Sequence, residues 1–327
     1  MKIAFFGTKD YDKIWFEPLA KEYGYEIHFI EVGCNPNTLF LAKGYDAISI
    51  FVNDIIDAKM IDELYDMKVK GILLRSAGYN HVDLKAAEGK ITVMHVPSYS
   101  PEAVAEFAMA LLLTLNRQTH RAYSRTRDFN MSLQGLMGMD LKEKVAGVVG
   151  TGKIGQAMIQ IFKGFQMHVV AYDPYPNESL EVEYVALEEL MKRSDVISLH
   201  CPLTEQTKHL VNKDSIPLMK DGVFLINTSR GSLIETDSLI EGLLQKKFGG
   251  VGLDVYEEEG GIFYEDRSSE IIEDESLARL MTFPNVIVTS HMGFFTKEAM
   301  QAIAAVTLEN AYALENNMPL LNQVSAK

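Results

Sequence analysis

The stretch Val145-Ala-Gly-Val-Val-Gly-Thr-Gly-Lys-Ile-Gly155 decides the fold of the larger part of the chain. It opens with a short apolar run that is rich in valine, which is typical of a buried strand. Gly150, Gly152 and Gly155 then give the spacing G-x-G-x-x-G, and the residues after them predict a helix. A strand, a glycine turn of this spacing and a helix together predict a dinucleotide-binding unit.

Each position of this turn has its own physical task. Gly150 would make the tight turn, Gly152 would let a pyrophosphate approach the backbone, and Gly155 would let helix and strand pack closely. Free backbone N–H groups at the start of the helix, where Lys153 and Ile154 stand, would then hold the phosphates.

Asp173 is the second element of the cofactor signal. It ends the next predicted strand and follows Gly155 by 18 residues, close to the spacing of about 20 expected for the acid that binds a ribose. Its carboxylate would accept hydrogen bonds from the 2′-hydroxyl and repel a 2′-phosphate. No arginine occurs in the Pro-Tyr-Pro segment that follows. NAD is therefore expected rather than NADP; the alternative is a glycine-bearing turn with an ordinary capping Asp.

Length and composition restrict the classes of protein that fit. The chain has 327 residues, of which 47% are hydrophobic and 23% charged, and this length predicts two globular domains. The net charge of −14 disfavours nucleic acid and anionic lipid as partners. Cys34 and Cys201 cannot make a disulfide framework, and the N-terminus lacks the apolar stretch of a secretion signal. We expect a cytoplasmic protein with no membrane segment.

Short apolar runs alternate with amphipathic stretches in both halves of the chain, which predicts two parallel sheets with helical crossovers. The first series of predicted strands is Lys2–Phe6, Glu26–Ile30, Asp46–Ile50, Gly71–Leu74 and Ile91–Met94. The second is Val145–Val149, His168–Tyr172, Val196–Leu199, Val223–Ile226, Gly250–Leu253 and Val286–Thr289. Because the glycine turn begins so far from the N-terminus, a separate domain must precede it.

Helical spacing of apolar residues predicts three further elements. They are helices at Ala58–Met67, from Pro101 to about Arg117, and at Thr296–Glu315. Residues 118–139 predict a second helix and a loop. Residues 257–275 hold nine acids and two glycines with no regular period, which predicts a surface loop.

Three polar segments stand where predicted strands of the second series end. They are Asn227-Thr-Ser-Arg-Gly231, Gly252-Leu-Asp-Val-Tyr-Glu257 with Glu258 and Glu259 after it, and Ser290-His-Met-Gly-Phe-Phe295. Open α/β sheets bind ligands at this edge. An arginine fork can bind a carboxylate through two hydrogen bonds, and a histidine can exchange a proton with an alkoxide near neutral pH. Such a set beside a nicotinamide is what reduction of a 2-keto acid requires. The alternation of residues from the strand into the loop does not show which of the three glutamates faces the site.

These segments, in this order and spacing, resemble the D-2-hydroxyacid dehydrogenase family over nearly the whole chain, and within it the bacterial fermentative D-lactate dehydrogenases. The matching motifs are GTGKIG at 150–155, DPYP at 173–176, SLHCPLT at 198–204, NTSRG at 227–231, DVYE at 254–257 and the segment of His291. The resemblance implies an α/β fold of two doubly wound parallel-sheet domains with a cleft between them. Residues 1–100 and 294–327 would form a flavodoxin-like catalytic domain, and residues 101–293 a Rossmann NAD-binding domain.

The resemblance also implies roles for individual residues. Arg230 would anchor the substrate carboxylate, His291 would be the acid/base, and Glu259 would pair with His291. Asp254 would be the aspartate near the nicotinamide ribose or carboxamide. The residues implied along the rest of the cofactor groove are Cys201, Pro202, Thr207, Thr228 and Ser229. No metal site is visible.

The first domain would supply the other wall of the substrate site. Backbone N–H groups of Ala77 and Gly78 could bind the substrate carboxylate, and the hydroxyl of Tyr99 could reach it or pack at a hinge instead. Phe51 and Phe294 would be apolar walls around a methyl group. Pyruvate is therefore the first substrate that we expect. The resemblance also implies a homodimer or homotetramer.

Phosphoglycerate, the substrate of relatives that share the nucleotide motifs, is disfavoured, because it would need cations for its phosphate and a small uncharged substituent fits better. Two alternatives stay open at this point. Longer 2-keto acids such as 2-oxoisocaproate would use the same mechanism. An NAD-sensing binding protein of the same fold would bind NADH without appreciable turnover.

Overall fold

The computed structural model describes residues 1–326, which form two compact units. One unit is Met1–Ser100 together with the C-terminal segment from Phe295, and the other is Pro101–Phe294. The strands of the described chain are β1 Lys2–Phe5, β2 Glu26–Phe29, β3 Ala47–Ile50, β4 Gly71–Leu74, β5 Thr92–Met94, β6 Val145–Val149, β7 His168–Tyr172, β8 Glu183–Tyr184, β9 Val196–Leu199, β10 Val223–Asn227, β11 Phe248–Leu253 and β12 Val286–Val288. The helices are α1 Asp10–Tyr23, α2 Ala58–Asp66, α3 Leu84–Ala87, α4 Pro101–Arg117, α5 Thr119–Arg127, α6 Lys153–Gly164, α7 Leu187–Arg193, α8 Thr236–Leu244, α9 Glu275–Thr282 and α10 Lys297–Glu315.

The first unit is built on a five-stranded sheet in the order β2-β1-β3-β4-β5. All four strand pairs are parallel, and the order is that of flavodoxin-like folds. Every residue of β3 and β4 is buried, because helices cover both faces of a parallel sheet. Gly71 makes room for one of these helices, since a Cβ there would lie 2.3 Å from Leu314 of α10.

Buried charges tie together the loops at the carboxyl edge of this sheet. Asp54 accepts hydrogen bonds from the backbone N–H of Cys34 at 2.7 Å and of Phe51 at 2.9 Å. The guanidinium of Arg75 donates to the carbonyl of Phe6 at 2.9 Å and stacks 3.9 Å from the ring centroid of Phe5. The segment after β3 is thereby joined to the one after β2, and the segment after β4 to the one after β1.

The second unit is built on a seven-stranded parallel sheet in the order β12-β11-β10-β9-β6-β7-β8. The strand that opens this unit's sheet, β6, lies between β7 and β9, as in a dinucleotide-binding fold. The predicted pair of doubly wound parallel sheets is confirmed. The prediction of six strands in this sheet is wrong by one, because β8 has two residues and no apolar run to announce it.

Helix α4 packs across the second sheet, and two glycines of β11 let it approach. A Cβ on Gly250 would lie 3.2 Å from the Cβ of Leu115, and one on Gly252 would lie 3.1 Å from the Cβ of Leu111. α4 is accordingly buried along most of its length. Within residues 1–326, no helix is both long and apolar enough to cross a membrane.

The acidic segment 257–275 differs from the predicted surface loop in two respects. Phe263 is buried and packs into the core of the second unit. The last residue, Glu275, already begins α9, whose first turn is capped by the carboxylate of Asp274 accepting from the N–H of Leu277 at 2.8 Å. The segment is therefore attached to the fold at its middle and at its end.

Candidate active site

Two glycines of the turn after β6 are required by the protein's own packing. Gly150 has φ +91°, and a Cβ there would lie 2.7 Å from backbone atoms of His200 and Cys201. A Cβ on Gly155 would lie 2.0 Å from the carbonyl oxygen of Gly150. Any side chain at either position would push strand, turn and helix apart.

Gly152 is different, because nothing in the protein requires a glycine there. It is the N-cap of α6 with an ordinary φ of −63°, and a Cβ would meet no atom within 4 Å. The bare backbone therefore leaves open space at the N-terminal end of α6, where Lys153 and Ile154 begin the helix. Such a terminus favours an anion, so the turn fits a pyrophosphate.

Asp173 connects the end of β7 to the glycine turn. Its Oδ2 accepts from the backbone N–H of Thr151 at 2.7 Å and from its hydroxyl at 3.0 Å. Its Oδ1 accepts from the N–H of Tyr175 at 2.9 Å. A carboxylate has about four acceptor positions, so this half-buried group keeps capacity for a ribose hydroxyl.

The loops after β9 and β10 meet beside the turn. The hydroxyl of Ser229 donates to the carbonyl of Cys201 at 2.7 Å, and that of Thr207 donates to the carbonyl of Pro202 at 2.7 Å. Thr228 is buried, and within the described chain its hydroxyl oxygen has no hydrogen-bond partner. A buried hydroxyl without a partner is costly, and a polar ligand in this groove would satisfy it.

Cys201 itself is a packing residue. It is buried, and burial raises the pKa of its thiol to about 11. The thiol stays protonated at neutral pH, and a protonated thiol is a poor nucleophile.

Arg230 follows β10 in a turn that Asn227 shapes. The side-chain amide of Asn227 donates to the carbonyl of Arg230 at 2.8 Å, and its carbonyl oxygen accepts from the N–H of Ser229 at 3.0 Å. The guanidinium is half-buried and donates from Nη1 to the carbonyl of Ser229 at 2.7 Å. One edge of the fork is thus held by the turn, and the remaining N–H donors can bind a carboxylate.

Gly231 brings the loop of Arg230 against the loop after β11. A Cβ on Gly231 would lie 2.0 Å from the carbonyl carbon and oxygen of Tyr256 and 2.4 Å from the backbone nitrogen of Glu257. The two loops therefore touch main chain to main chain, and no residue other than glycine fits between them.

His291 and Glu259 form a hydrogen-bonded pair in the site. Nδ1 of His291 lies 2.9 Å from Oε1 of Glu259, and both side chains are largely buried. The other carboxylate oxygen of Glu259 accepts from the N–H of Tyr256 at 3.1 Å. Because a carboxylate only accepts, Nδ1 carries a hydrogen, and Nε2 is the ring nitrogen left for chemistry.

Asp254 organises the turn in which His291 stands. Its Oδ1 accepts from the hydroxyl of Thr289 at 2.6 Å and from the N–H of Met292 at 2.9 Å. Its Oδ2 accepts from the N–H of Gly293 at 2.7 Å, and its carbonyl accepts from the N–H of His291. Burial raises the pKa of this carboxyl, and the same hydrogen bonds oppose that rise. Asp254, expected on the cofactor side, thus has both oxygens engaged by the protein.

The three consecutive glutamates have three different surroundings. Glu257 accepts from Nε2 of His209 at 2.5 Å and from the backbone N–H and hydroxyl of Thr236 at 3.2 and 2.9 Å. Burial acts to raise the pKa of Glu257, but the hydrogen bonds from His209 and Thr236 outweigh it and lower that pKa. Glu258 is exposed. Only Glu259 pairs with His291.

Sequence reasoning missed two of these relationships. It assigned no partner to His209, which the structure pairs with Glu257, 48 positions away. It also gave no role to Tyr264, whose hydroxyl donates to the carbonyl of His291 at 3.0 Å. No local spacing signals either contact, since both depend on how an irregular loop folds.

The other predicted substrate residues lie at strand ends of the first unit, except Phe294. Phe51 directly follows β3, Ala77 and Gly78 lie in the loop after β4, and Tyr99 lies between β5 and α4. The carbonyl of Ala77 accepts from Nδ1 of His95, and that of Gly78 accepts from the hydroxyl of Ser76, each at 2.8 Å. Across residues 1–326, the N–H groups of Ala77 and Gly78 donate to no protein acceptor. Phe294 is buried at the end of the second unit.

The fold and this site define the class of the protein, and comparison with known proteins agrees. Residues 109–293 match the family described as "D-isomer specific 2-hydroxyacid dehydrogenase, NAD binding domain". The chain belongs to this family, and it is an NAD-dependent oxidoreductase.

Individual relatives match along nearly the whole chain. A "2-hydroxyacid dehydrogenase homolog" of Haemophilus influenzae is 48% identical over 97% of this chain and 97% of its own length. The "D-lactate dehydrogenase" of Escherichia coli is 47% identical over 99% of this chain and all of its own length. Among solved structures, that of a pyruvate reductase of Chlamydomonas reinhardtii has a TM-score of 0.93 at 43% identity and covers 98% of each chain.

Proposed function

We propose that this protein reduces pyruvate to D-lactate with NADH, and that His291, Glu259 and Arg230 carry out the substrate chemistry. The observation that carries the proposal is the His291–Glu259 pair at 2.9 Å. Glu259 lies on the loop after β11, which Gly231 brings against the loop of Arg230. Relatives named for D-lactate and pyruvate support this choice of substrate.

Arg230 binds and orients the substrate in this proposal. Its planar fork can grip a carboxylate through two hydrogen bonds, which fixes both the position and the rotation of a small 2-keto acid. The contact of Nη1 with the carbonyl of Ser229 leaves the fork pre-organised. Little side-chain entropy is then lost on binding.

His291 donates the proton that the reaction needs at the substrate oxygen. The Nδ1 hydrogen bond to Glu259 directs Nε2 as the donor and stabilises the positively charged imidazolium. As the keto oxygen gains negative charge, transfer of the Nε2 proton gives the hydroxyl group. In the reverse direction the neutral imidazole takes that proton back.

NADH, when bound, supplies the hydride that reduces the keto carbon. Gly152, Lys153, Ile154, Asp173 and Thr228 would hold it. The open space at Gly152 suits the pyrophosphate, and the carboxylate of Asp173 suits a ribose 2′-hydroxyl and repels a 2′-phosphate.

The substrate contacts of Phe51, Ala77, Gly78, Tyr99 and Phe294 stay predictions from the sequence. The N–H groups of Ala77 and Gly78 donate to no acceptor in the described chain, which supports the prediction that they bind the substrate carboxylate. An apolar wall would favour the methyl group of pyruvate over a charged substituent.

Assembly into a homodimer or homotetramer also stays a prediction, as does location in the cytoplasm. The segment after α5 supports self-association, because Phe129, Leu133 and Met137 are 87%, 83% and 92% exposed. Exposed apolar side chains grouped on one segment can mark an interface. Light scattering of the purified protein measures the oligomeric state directly.

The experiment that tests the function follows NADH absorbance with pyruvate and identifies the lactate enantiomer formed. We expect rapid oxidation of NADH and D-lactate as the product. Turnover of 2-oxoisocaproate with little turnover of pyruvate would keep the mechanism and change the substrate. Tight NADH binding without turnover of any 2-keto acid would reject the proposal in favour of a sensor.

A further inference from the structure

The backbone at His291 is in a conformation that non-glycine residues adopt uncommonly. Its φ is +54°, in the left-handed region where a Cβ is crowded by its own main chain. Such a residue persists only when its surroundings hold it in place. The direction of the imidazole follows from this backbone, so whatever holds the backbone also aims the ring.

Three contacts hold His291, and the mechanism described above uses only one of them. Its N–H donates to the carbonyl of Asp254 at 2.7 Å, and its Nδ1 binds Glu259. Its carbonyl oxygen accepts from the hydroxyl of Tyr264 at 3.0 Å. The Tyr264 ring also lies near the imidazole, with centroids 6.2 Å apart and planes inclined by 32°.

Tyr264 is itself firmly placed, so its hydroxyl can act as a fixed point. The residue before it, Phe263, is buried in the core of the second unit. The N–H groups of Ile262 and Phe263 both donate to the carbonyl of Glu259 at 3.1 Å. Glu259 and Tyr264 therefore stand at the two ends of one short turn. That turn contacts His291 at two points, its ring and its main-chain carbonyl.

We propose that Tyr264 is a positioning residue for His291, which holds the left-handed backbone through its hydroxyl and so keeps Nε2 aimed at the substrate oxygen. The inference rests on the proposed function, because it takes His291 as the acid/base. Without the hydroxyl, the His291 carbonyl loses its anchor and the backbone can relax toward an ordinary φ. The imidazole then samples orientations from which proton transfer is slow.

The test is Tyr264→Phe, which removes one oxygen atom and keeps the ring. With pyruvate and NADH, kcat should fall about three- to tenfold, as expected when one neutral hydrogen bond is lost. The KM for pyruvate and the Kd for NADH should not change, because Arg230 and the glycine turn are untouched. Tyr65→Phe is the matched control: Tyr65 is 51% exposed in the first unit, and this change should leave all three constants at their wild-type values.

Two results would overturn the inference. A wild-type kcat in Tyr264→Phe, with or without a lower melting temperature, would show that the hydroxyl only stabilises the fold. A raised KM at unchanged kcat would place Tyr264 in substrate binding instead. His291→Asn, measured alongside, distinguishes failure of the proposed function from failure of this inference. If His291→Asn keeps its kcat, the proposed function fails. If it is inactive and Tyr264→Phe has a normal kcat, only the role of Tyr264 fails.

Discussion

Nδ1 of His291 lies 2.9 Å from Oε1 of Glu259, although 32 positions of sequence separate the two residues. The contact exists because β11 and β12 are parallel neighbours, so the loops that leave them begin side by side at one edge of the sheet. The two neighbouring glutamates face elsewhere: one binds His209, and the other is exposed. The chemistry proposed for the site depends on this one pair.

Replacing Glu259 by Gln should therefore lower kcat by at least about tenfold, because the amide cannot stabilise an imidazolium as a carboxylate does. NADH binding should be unchanged, since Glu259 is not in the glycine turn. Glu258→Gln, one residue away and exposed, is the control and should behave as wild type. Steady-state kinetics with pyruvate and fluorescence titration with NADH measure both effects. Equal kcat values for the two variants would refute the pairing as a catalytic feature.

Arg230→Lys should raise the KM for pyruvate by about tenfold or more and slow the chemical step as well. A single ammonium cannot reproduce two parallel hydrogen bonds to a carboxylate. Arg193 offers a matched control, because its fork binds Glu183 through two hydrogen bonds of 2.7 and 2.8 Å on the surface. Arg193→Lys should leave KM unchanged. If Arg230→Lys also left it unchanged, Arg230 would not be the substrate anchor.

Gly152→Ala should weaken cofactor binding without lowering the stability of the fold. No protein atom lies within 4 Å of a Cβ at this position, so the melting temperature should stay close to wild type. The Kd for NADH should rise by about tenfold or more, because the methyl group would occupy the approach of the pyrophosphate. The companion change Gly150→Ala should instead destabilise the fold, since φ is +91° and its Cβ would lie 2.7 Å from backbone. Unaltered NADH affinity in Gly152→Ala would contradict the proposed phosphate site.

Glu257 should make stability depend on pH. Its pKa is lower in the folded protein than its ordinary value of 4.5, so its carboxylate stabilises the fold above the unfolded pKa. That stabilisation is lost as the pH falls through the folded pKa. Glu257→Gln should therefore cost up to about 1 kcal/mol at neutral pH, and its deficit relative to wild type should shrink in acid. Melting temperatures of both proteins between about pH 7 and pH 3 measure this, and a constant deficit would contradict it.

The sheets could be predicted from sequence because their signals are local. Apolar runs such as Gly71–Leu74 and Val145–Val149 are buried on both faces, and the strands begin and end where those runs do. β8 could not be predicted in the same way, because Glu183 and Tyr184 owe their strand geometry to pairing with β7 alone. The burial of Phe263 was missed for a similar reason, since an acidic segment without a period gives no sign of which residue turns inward.

The candidate site likewise contains residues that could be predicted from the sequence and contacts that could not. Arg230 and His291 could be identified because parallel strands deliver the residues after them to one edge. The choice among three glutamates, the His209–Glu257 pair and the contact of Tyr264 with His291 depend instead on the path of an irregular loop. The close approach of Gly231 to Tyr256 and Glu257 constrains the start of that path, and no residue type within the loop signals it.

The most direct test of the central claim is kcat for the reduction of pyruvate by His291→Asn, compared with wild type at the same NADH saturation. Asn cannot donate a proton as an imidazolium does, so kcat should fall by at least about a hundredfold. The Kd for NADH should stay at its wild-type value, and the wild-type product should be D-lactate. A variant that made D-lactate at the wild-type rate would show that His291 is not the proton donor and that the mechanism proposed for this site is wrong.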